Sequence, residues 1–242
     1  MKAAVLRGGD IVVAEVPAPV PAAGQVLVKT LCCGICGSDL HYAKHAPHMV
    51  ALSKRIPGRQ PLDLSRDVVF GHEFCGEVLD YGPGTERKLK PGTLVCSMPV
   101  IPQADGHRTV GYSNDFPGGY GEQMVLAAPL LLEVPNGLSA DHAALTEPLA
   151  VGIHAVEKAA LQDNDAPLVV GCGPVGLAAI VGLRLKGIHP IIAADFSPKR
   201  RELAAKMGAD IVIDPKVEPA YAKLAPGKRA VIFECVGVPG LL

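Results

Sequence analysis

The chain has 242 residues, more than the usual single domain of about 100–200 residues, so one large or two modest domains are expected. Its 23 Lys and Arg stand against 24 Asp and Glu with no dense basic run, which leaves no electrostatic footprint for nucleic acid or an anionic membrane and makes small molecules the expected partners. Apolar residues at 49% and charged residues at 19% exclude a disordered chain.

The first residues, Met1 to Asp10, carry neither a long apolar core nor a small-residue cleavage site, so no secretory signal is expected and a cytoplasmic location is the default. From Met1 to about Pro135, short β-like runs at Val26–Leu31, Gly76–Leu79, Thr93–Met98 and Gln123–Leu126 alternate with Pro and Gly turns. They predict an irregular, mainly β domain over residues 1–150. Ser139 is a candidate N-cap for a helix over Ala140–Leu145, and apolar spacing predicts another over Leu149–Ala160. Beyond Asp165, strand and helix alternate. Leu168–Val170, Ile191–Ala194, Ile211–Ile213 and Val231–Phe233 read as strands of a parallel sheet, with helices Val175–Lys186 and Lys199–Met207 between the first three. This predicts an α/β domain over residues 151–242. The uncharged stretch Ala166–Leu183 approaches the roughly 18 residues of a membrane span. Pro167, Gly171, Gly173, Pro174, Gly176 and Gly182 instead break it into strand, turn and helix.

Gly171, Gly173 and Gly176 match G-x-G-x-x-G between a strand and a helix, with Cys172, Pro174 and Val175 between them. Asp195 ends the next strand 24 positions after Gly171, close to the separation of about 20 expected of a dinucleotide site. In that reading Gly171 permits the tight turn and Gly173 lets the backbone approach the pyrophosphate. Gly176 allows the helix, whose N-terminus faces the phosphates, to pack on the strand. Asp195 would bind the ribose hydroxyls and repel a 2′-phosphate, favouring NAD. Lys199, Arg200 and Arg201 follow closely and offer the alternative, NADP.

Seven cysteines, an odd number without secretory features, argue against a disulfide framework. Cys33 and Cys36 have the spacing of a redox pair, but they lie in a strand-rich region rather than at the opening of a βα unit. The segments Gly34–His41 and Gly71–Phe74 read as loop-like and glycine-flanked, and they hold a thiol, two imidazoles and two carboxylates. Cys36 and His72 are candidate ligands for Zn²⁺, which takes thiolate and imidazole. Taken alone, they would equally fit a buried thiol and a hydrogen-bonded structural histidine.

The segments GICGSDLH, GHEFCGEV, GGYGEQMVL, EPLAVGIHAV and GCGPVGLAAI, in this order, resemble the successive signatures of the zinc-containing medium-chain dehydrogenases, nearest to the sorbitol and polyol branch. The resemblance covers nearly the whole chain. It implies a GroES-like catalytic domain followed by a partial Rossmann domain with a doubly wound parallel sheet. It also implies Cys36 and His72 as catalytic zinc ligands, with the third from Glu73 or from Glu147, which opens the EPL motif. Asp39 would orient the His72 imidazole, Ser38 would accept the alcohol proton, and His41 would pass it to solvent. The activity implied is hydride transfer between an alcohol or polyol and a nicotinamide cofactor, in a full-length homo-dimer or tetramer. Two other readings are an aldehyde or ketone reductase using the same site, and a catalytically inactive dinucleotide-binding redox sensor.

Three departures from the family stand out. Only Cys75 and Cys96 lie between His72 and Gly121, too few for a four-cysteine structural zinc, so one zinc is expected and Met98–Gly119 takes the place of that lobe. The 36 positions from Cys36 to His72 exceed the family's usual spacing, and the excess falls in His45–Asp67, read as a loop carrying His45 and His48. The chain stops at Leu242, short of two strands and a helix, and reads as C-terminally truncated with an unpaired strand edge and a risk of aggregation.

Overall fold

A computed structural model describes residues 1–58 and 60–238. The chain divides into two compact units, Met1–Glu147 and the residues from Pro148 onward. The last four residues of the expected 151–242 domain lie outside the described ones. No described helix is long and apolar enough to cross a membrane.

The first unit contains strands β1 (Lys2–Arg7), β2 (Asp10–Glu15) and β3 (Gln25–Cys33), then helix α1 (Gly37–Ser53). Strands β4 (Val68–Val69), β5 (Phe74–Tyr81), β6 (Leu94–Ser97), β7 (Val100–Gln103), β8 (Gly106–Thr109), β9 (Gln123–Ala127) and β10 (Leu131–Glu133) follow, and then helix α2 (Ala140–Ala143). The main antiparallel sheet has the order β10-β6-β5-β3-β9, and a smaller one runs β2-β1-β4. Alternation along β3 turns Val26 and Val28 into a core with Phe74, Val78, Val95, Met124 and Leu126. Each such side chain contributes about 1.5–3 kcal/mol relative to exposure, so this unit has a core of its own.

The β3–β5 pairing positions the chemistry. Cys33 pairs with Phe74 at the end of an antiparallel register with irregularities after Leu27 and Thr30. The chain leaving β3 therefore runs beside the chain entering β5, and the Gly34 N–H donates to the Glu73 carbonyl at 2.7 Å. Cys36 and His72 are brought close by this pairing despite their separation in sequence.

Two expectations are corrected here. Gly34–His41 is not a loop throughout: Cys36 is the N-cap of α1, and Ser38, Asp39 and His41 lie in its first turns. His45 and His48 belong to the same helix, which continues to Ser53. The helix is kinked, with His45 at φ −129°, ψ 29°, two residues before Pro47. Proline removes a helical donor and clashes with the preceding turn, which accounts for the kink. Ser139 does stand at the N-cap of α2, but its hydroxyl bonds His142 Nδ1 at 2.9 Å rather than the helix backbone. Within Met98–Gly119 lies a hairpin of β7 and β8.

The second unit is entered through helix α3 (Thr146–Ala159). Strand β11 (Asp165–Val170), helix α4 (Pro174–Leu185), strand β12 (Ile192–Ala194), helix α5 (Pro198–Met207), and strands β13 (Ile211–Ile213) and β14 (Arg229–Glu234) follow. The four strands form a parallel sheet in the order β13-β12-β11-β14. Val169 and Ala193 of the sheet, with Ile191 just before β12, pack on Ala179, Ile180 and Leu183 of α4. Proline opens α4 and α5, where its missing donor is not needed, and Gly208 closes α5 at φ 113°. Arg229 clamps Asp165 with two bonds of 2.6 Å across β14 and β11, holding that carboxyl down to about 2. Among the described residues, β14 pairs only with β11 and forms an edge of the sheet.

Candidate metal centre and dinucleotide loop

The turn before β5 depends on Gly71. Its φ is 98°, and a Cβ there would strike the Tyr120 ring and the Cys33 thiol. Glycine alone accepts that conformation and that space together, and the turn presents His72 and Glu73 beside Cys36. The ligand atoms of Cys36, His72 and Glu73 all lie within 4.8 Å of one another, the one such cluster of three or more metal-capable side chains among the described residues. His72 and Glu73 are each 8% exposed. Glu147 lies outside this cluster, at the start of α3, although it feels the charges of His72, Glu73 and Asp39. Burial pushes its carboxyl up, His72 opposes, and the two acids add to the rise.

Thiol, imidazole and carboxylate are the donors of a catalytic zinc site that leaves one position open. The surroundings fit that ion. His72 Nδ1 is buried without a hydrogen bond, 3.4 Å from Asp39 Oδ1. Burial disfavours a charged imidazole, yet the Asp39 carboxylate and the Cys36 thiol outweigh it and raise His72 to about 10. Buried acidic groups gathered this closely call for a compensating cation.

Asp39 is 2% exposed and organises the surroundings of His72. It accepts from the Tyr112 hydroxyl at 2.6 Å, the Tyr120 hydroxyl at 2.8 Å and the Cys36 N–H at 3.1 Å. Burial alone would raise its carboxyl, but the adjacent His72 imidazole and the hydrogen bonds from Tyr112 and Tyr120 hold it below the usual carboxylate range. Neither tyrosine was expected from the sequence. The only available signal was the tyrosine within GGYGEQMVL. Ser38 Oγ lies 2.8 Å from the Tyr112 hydroxyl. His41 is exposed, its ring 4.8 Å from that of His45. Cys75 and Cys96 are buried apart from the cluster, and the Cys96 thiol donates to the Ala143 carbonyl at 3.1 Å.

In the second unit, Gly171 turns the chain at φ 90° between β11 and α4. A Cβ at Gly176 would collide with the Gly171 carbonyl, so only glycine lets α4 start this close to the strand end. A Cβ at Gly173, the α4 N-cap, would meet nothing, which leaves open space beside the turn. Pro174, which has no N–H, and Val175 form the first helical positions, and the Val175 N–H has no partner within the helix. Asp195 is 8% exposed and accepts from the Cys172 N–H at 2.8 Å and the Ser197 N–H at 2.7 Å. A carboxylate has about four lone-pair sites, so acceptor capacity remains. Arg201 is committed to the carbonyls of Asp195 and Phe196 and to Asp214, while Arg200 lies 3.8 Å from Asp195. Phe196, 56% exposed beside the acid, is a further neighbour that the sequence reading missed.

Comparison with known proteins agrees with both halves. Residues 22–136 match the family model described as the alcohol dehydrogenase GroES-like domain, and residues 174–242 match that of the zinc-binding dehydrogenases. The chain is 35% identical to (R,R)-butanediol dehydrogenase of Bacillus subtilis, covering 96% of this chain and 69% of that protein. It is 31% identical to sorbitol dehydrogenase of Gallus gallus, over 96% of this chain and 67% of that one. The crystal structure of the Bacillus subtilis 2R,3R-butanediol dehydrogenase is similar, with a TM-score of 0.79 and 34% identity over 98% of this chain and 71% of that one. The chain is thus shorter than these relatives.

Proposed function

Because this chain belongs to the zinc-type medium-chain dehydrogenases, we propose that it oxidises a secondary alcohol or polyol with NAD⁺, using one zinc per chain. The observation that carries this reading is the convergence of Cys36, His72 and Glu73 within 4.8 Å. When bound, zinc supplies Lewis acidity that lowers the pKa of an alcohol oxygen, and NAD⁺ supplies the hydride acceptor.

The protein's own residues do the rest. Cys36 as thiolate, His72 and Glu73 hold the metal, with Glu147 a neighbouring carboxyl rather than a member of the set. Asp39 fixes the imidazole of His72, the part an outer carboxylate plays in zinc sites. The Ser38 hydroxyl accepts the hydrogen of the substrate hydroxyl, and the exposed imidazole of His41 carries the released proton to solvent. The turn Gly171–Gly176 and the free N–H groups of α4 receive the pyrophosphate. The remaining lone pairs of Asp195 bind the adenosine ribose hydroxyls, and its charge disfavours a 2′-phosphate. Reduction of a ketone by NADH would run through the same groups in reverse.

The test is turnover by the zinc-loaded protein on a panel of vicinal diols, hexitols and simple secondary alcohols, followed as NADH absorbance. Formation of NADH with at least one diol or polyol, faster with NAD⁺ than with NADP⁺, is expected. Failure on every alcohol with either cofactor would overturn the reading.

A further inference from the structure

We propose that His41 and His45 form a second, inhibitory metal site, two imidazoles on one face of α1 that take a late first-row divalent ion such as Ni²⁺, Cu²⁺ or excess Zn²⁺ and so silence His41 as proton carrier. The site stands on its own geometry, and only its inhibitory effect rests on the alcohol-oxidising reading above.

The spacing is that of one helical turn. Residues four apart are neighbours on a helix surface, and two histidines at that spacing can hold a divalent ion from a single helix. Packing of α1 fixes which way the pair faces. Tyr42 and Ala46, the residues after each histidine, are 5% and 4% exposed and pack with Leu62, Val68 and Phe70. The register that buries these two turns His41 and His45 outward together, and both are exposed.

The kink at His45 does not part them. Their ring centres lie 4.8 Å apart with an interplanar angle of 52°. Imidazole nitrogens bound to one ion at about 2.0–2.1 Å set their ring centres roughly 4.5–5.2 Å apart, for bond angles from a right angle to tetrahedral. The observed separation falls within that window, so an ion enters with little movement of the rings.

The donors set the class of ion. Imidazole suits Ni²⁺, Cu²⁺ and Zn²⁺, whereas Mg²⁺ and Ca²⁺ take oxygen ligands. Two neutral donors hold an ion less tightly than the Cys36, His72 and Glu73 cluster, so the pair fills only after that cluster is saturated. A nitrogen bound to metal has no lone pair left to accept a proton. Occupancy therefore takes His41 out of proton release while the groups that hold zinc and NAD⁺ stay in place.

Nickel is the probe, because elemental analysis counts it separately from zinc. The zinc-saturated protein is dialysed against micromolar Ni²⁺, and both metals are counted. The unmodified protein should hold about one nickel per chain and keep its zinc. His41→Ala and His45→Ala should each weaken nickel binding at least about 10-fold, since each removes one of two protein donors. Both should retain zinc, which reports that they fold. Positioned proton-transfer groups contribute about 10²–10⁴-fold, and His41 acts one step away from the reacting oxygen. Nickel should therefore slow NADH formation by the unmodified protein about 10-fold, reversibly on dialysis. Without nickel, His45→Ala should turn over within about twofold of the unmodified protein, and nickel should no longer slow it. Nickel binding unchanged in either variant, nickel entering only as zinc leaves, or nickel held by this pair without slowing turnover would each overturn the proposal. Absence of turnover by the nickel-free unmodified protein would instead overturn the functional reading, and the nickel counts would still decide the site.

Discussion

Cys36→Ser is expected to remove zinc and to lower kcat/KM for alcohol oxidation by several kcal/mol of transition-state stabilisation, on the order of 10³-fold at about 1.4 kcal/mol per tenfold. Cys36 supplies one of the three converging donor groups among the described residues, and a serine hydroxyl stays neutral where a thiolate would bind the metal. Structural damage would not explain such a loss, because Cys36 is the N-cap of α1 and serine is a preferred residue there. Zinc content and steady-state kinetics check this, with NADH binding as the control for folding. The same measurements rank the two acids, since Glu73→Gln should lose zinc with activity and Glu147→Gln should retain zinc. Full activity in Cys36→Ser would contradict the assignment.

Asp195→Asn is expected to raise KM for NAD⁺ and to bring NADP⁺ into use. Hydrogen bonds to a charged group contribute about 1.5–3 kcal/mol, which at about 1.4 kcal/mol per tenfold is a rise of roughly 10- to 100-fold. Asparagine keeps one acceptor for the Cys172 and Ser197 N–H groups that Asp195 now receives, so the loop retains part of its support. It removes the charge facing a 2′-phosphate and leaves Arg200 without its anionic neighbour. Initial rates against each cofactor measure both changes. An unchanged KM for NAD⁺ would remove Asp195 from the ribose site.

Sequence and structure agree most closely in the second unit, for a physical reason. Strands buried on both faces read as unbroken apolar runs, so the expected strand Ile191–Ala194 falls on β12, whose residues are all buried, and the Gly171–Gly176 turn sits between β11 and α4 as expected. The first unit was legible only in part. α1 escaped notice because Pro47 and the clustered histidines break the apolar pattern, and few of its side chains are buried. The early hairpin of β1 and β2 was missed as well, since β2 leaves Ile11 and Val13 exposed and shows no inward alternation.

The site divides along the same line. Cys36 and His72 were nominated by chemistry and resemblance, whereas the proposal of Glu73 ahead of Glu147 rests on the β3–β5 register that brings residues 34 and 73 together. Tyr112 reaches Asp39 across 73 positions and Tyr120 across 81. Contacts so distant in the chain leave no spacing for a sequence to display.

The most direct test of the zinc centre is X-ray absorption at the zinc edge of the loaded protein. The arrangement of Cys36, His72 and Glu73 predicts one sulfur neighbour at about 2.3 Å and nitrogen or oxygen neighbours at about 2.0–2.2 Å. A shell of several sulfurs, or one with no sulfur at all, would contradict it.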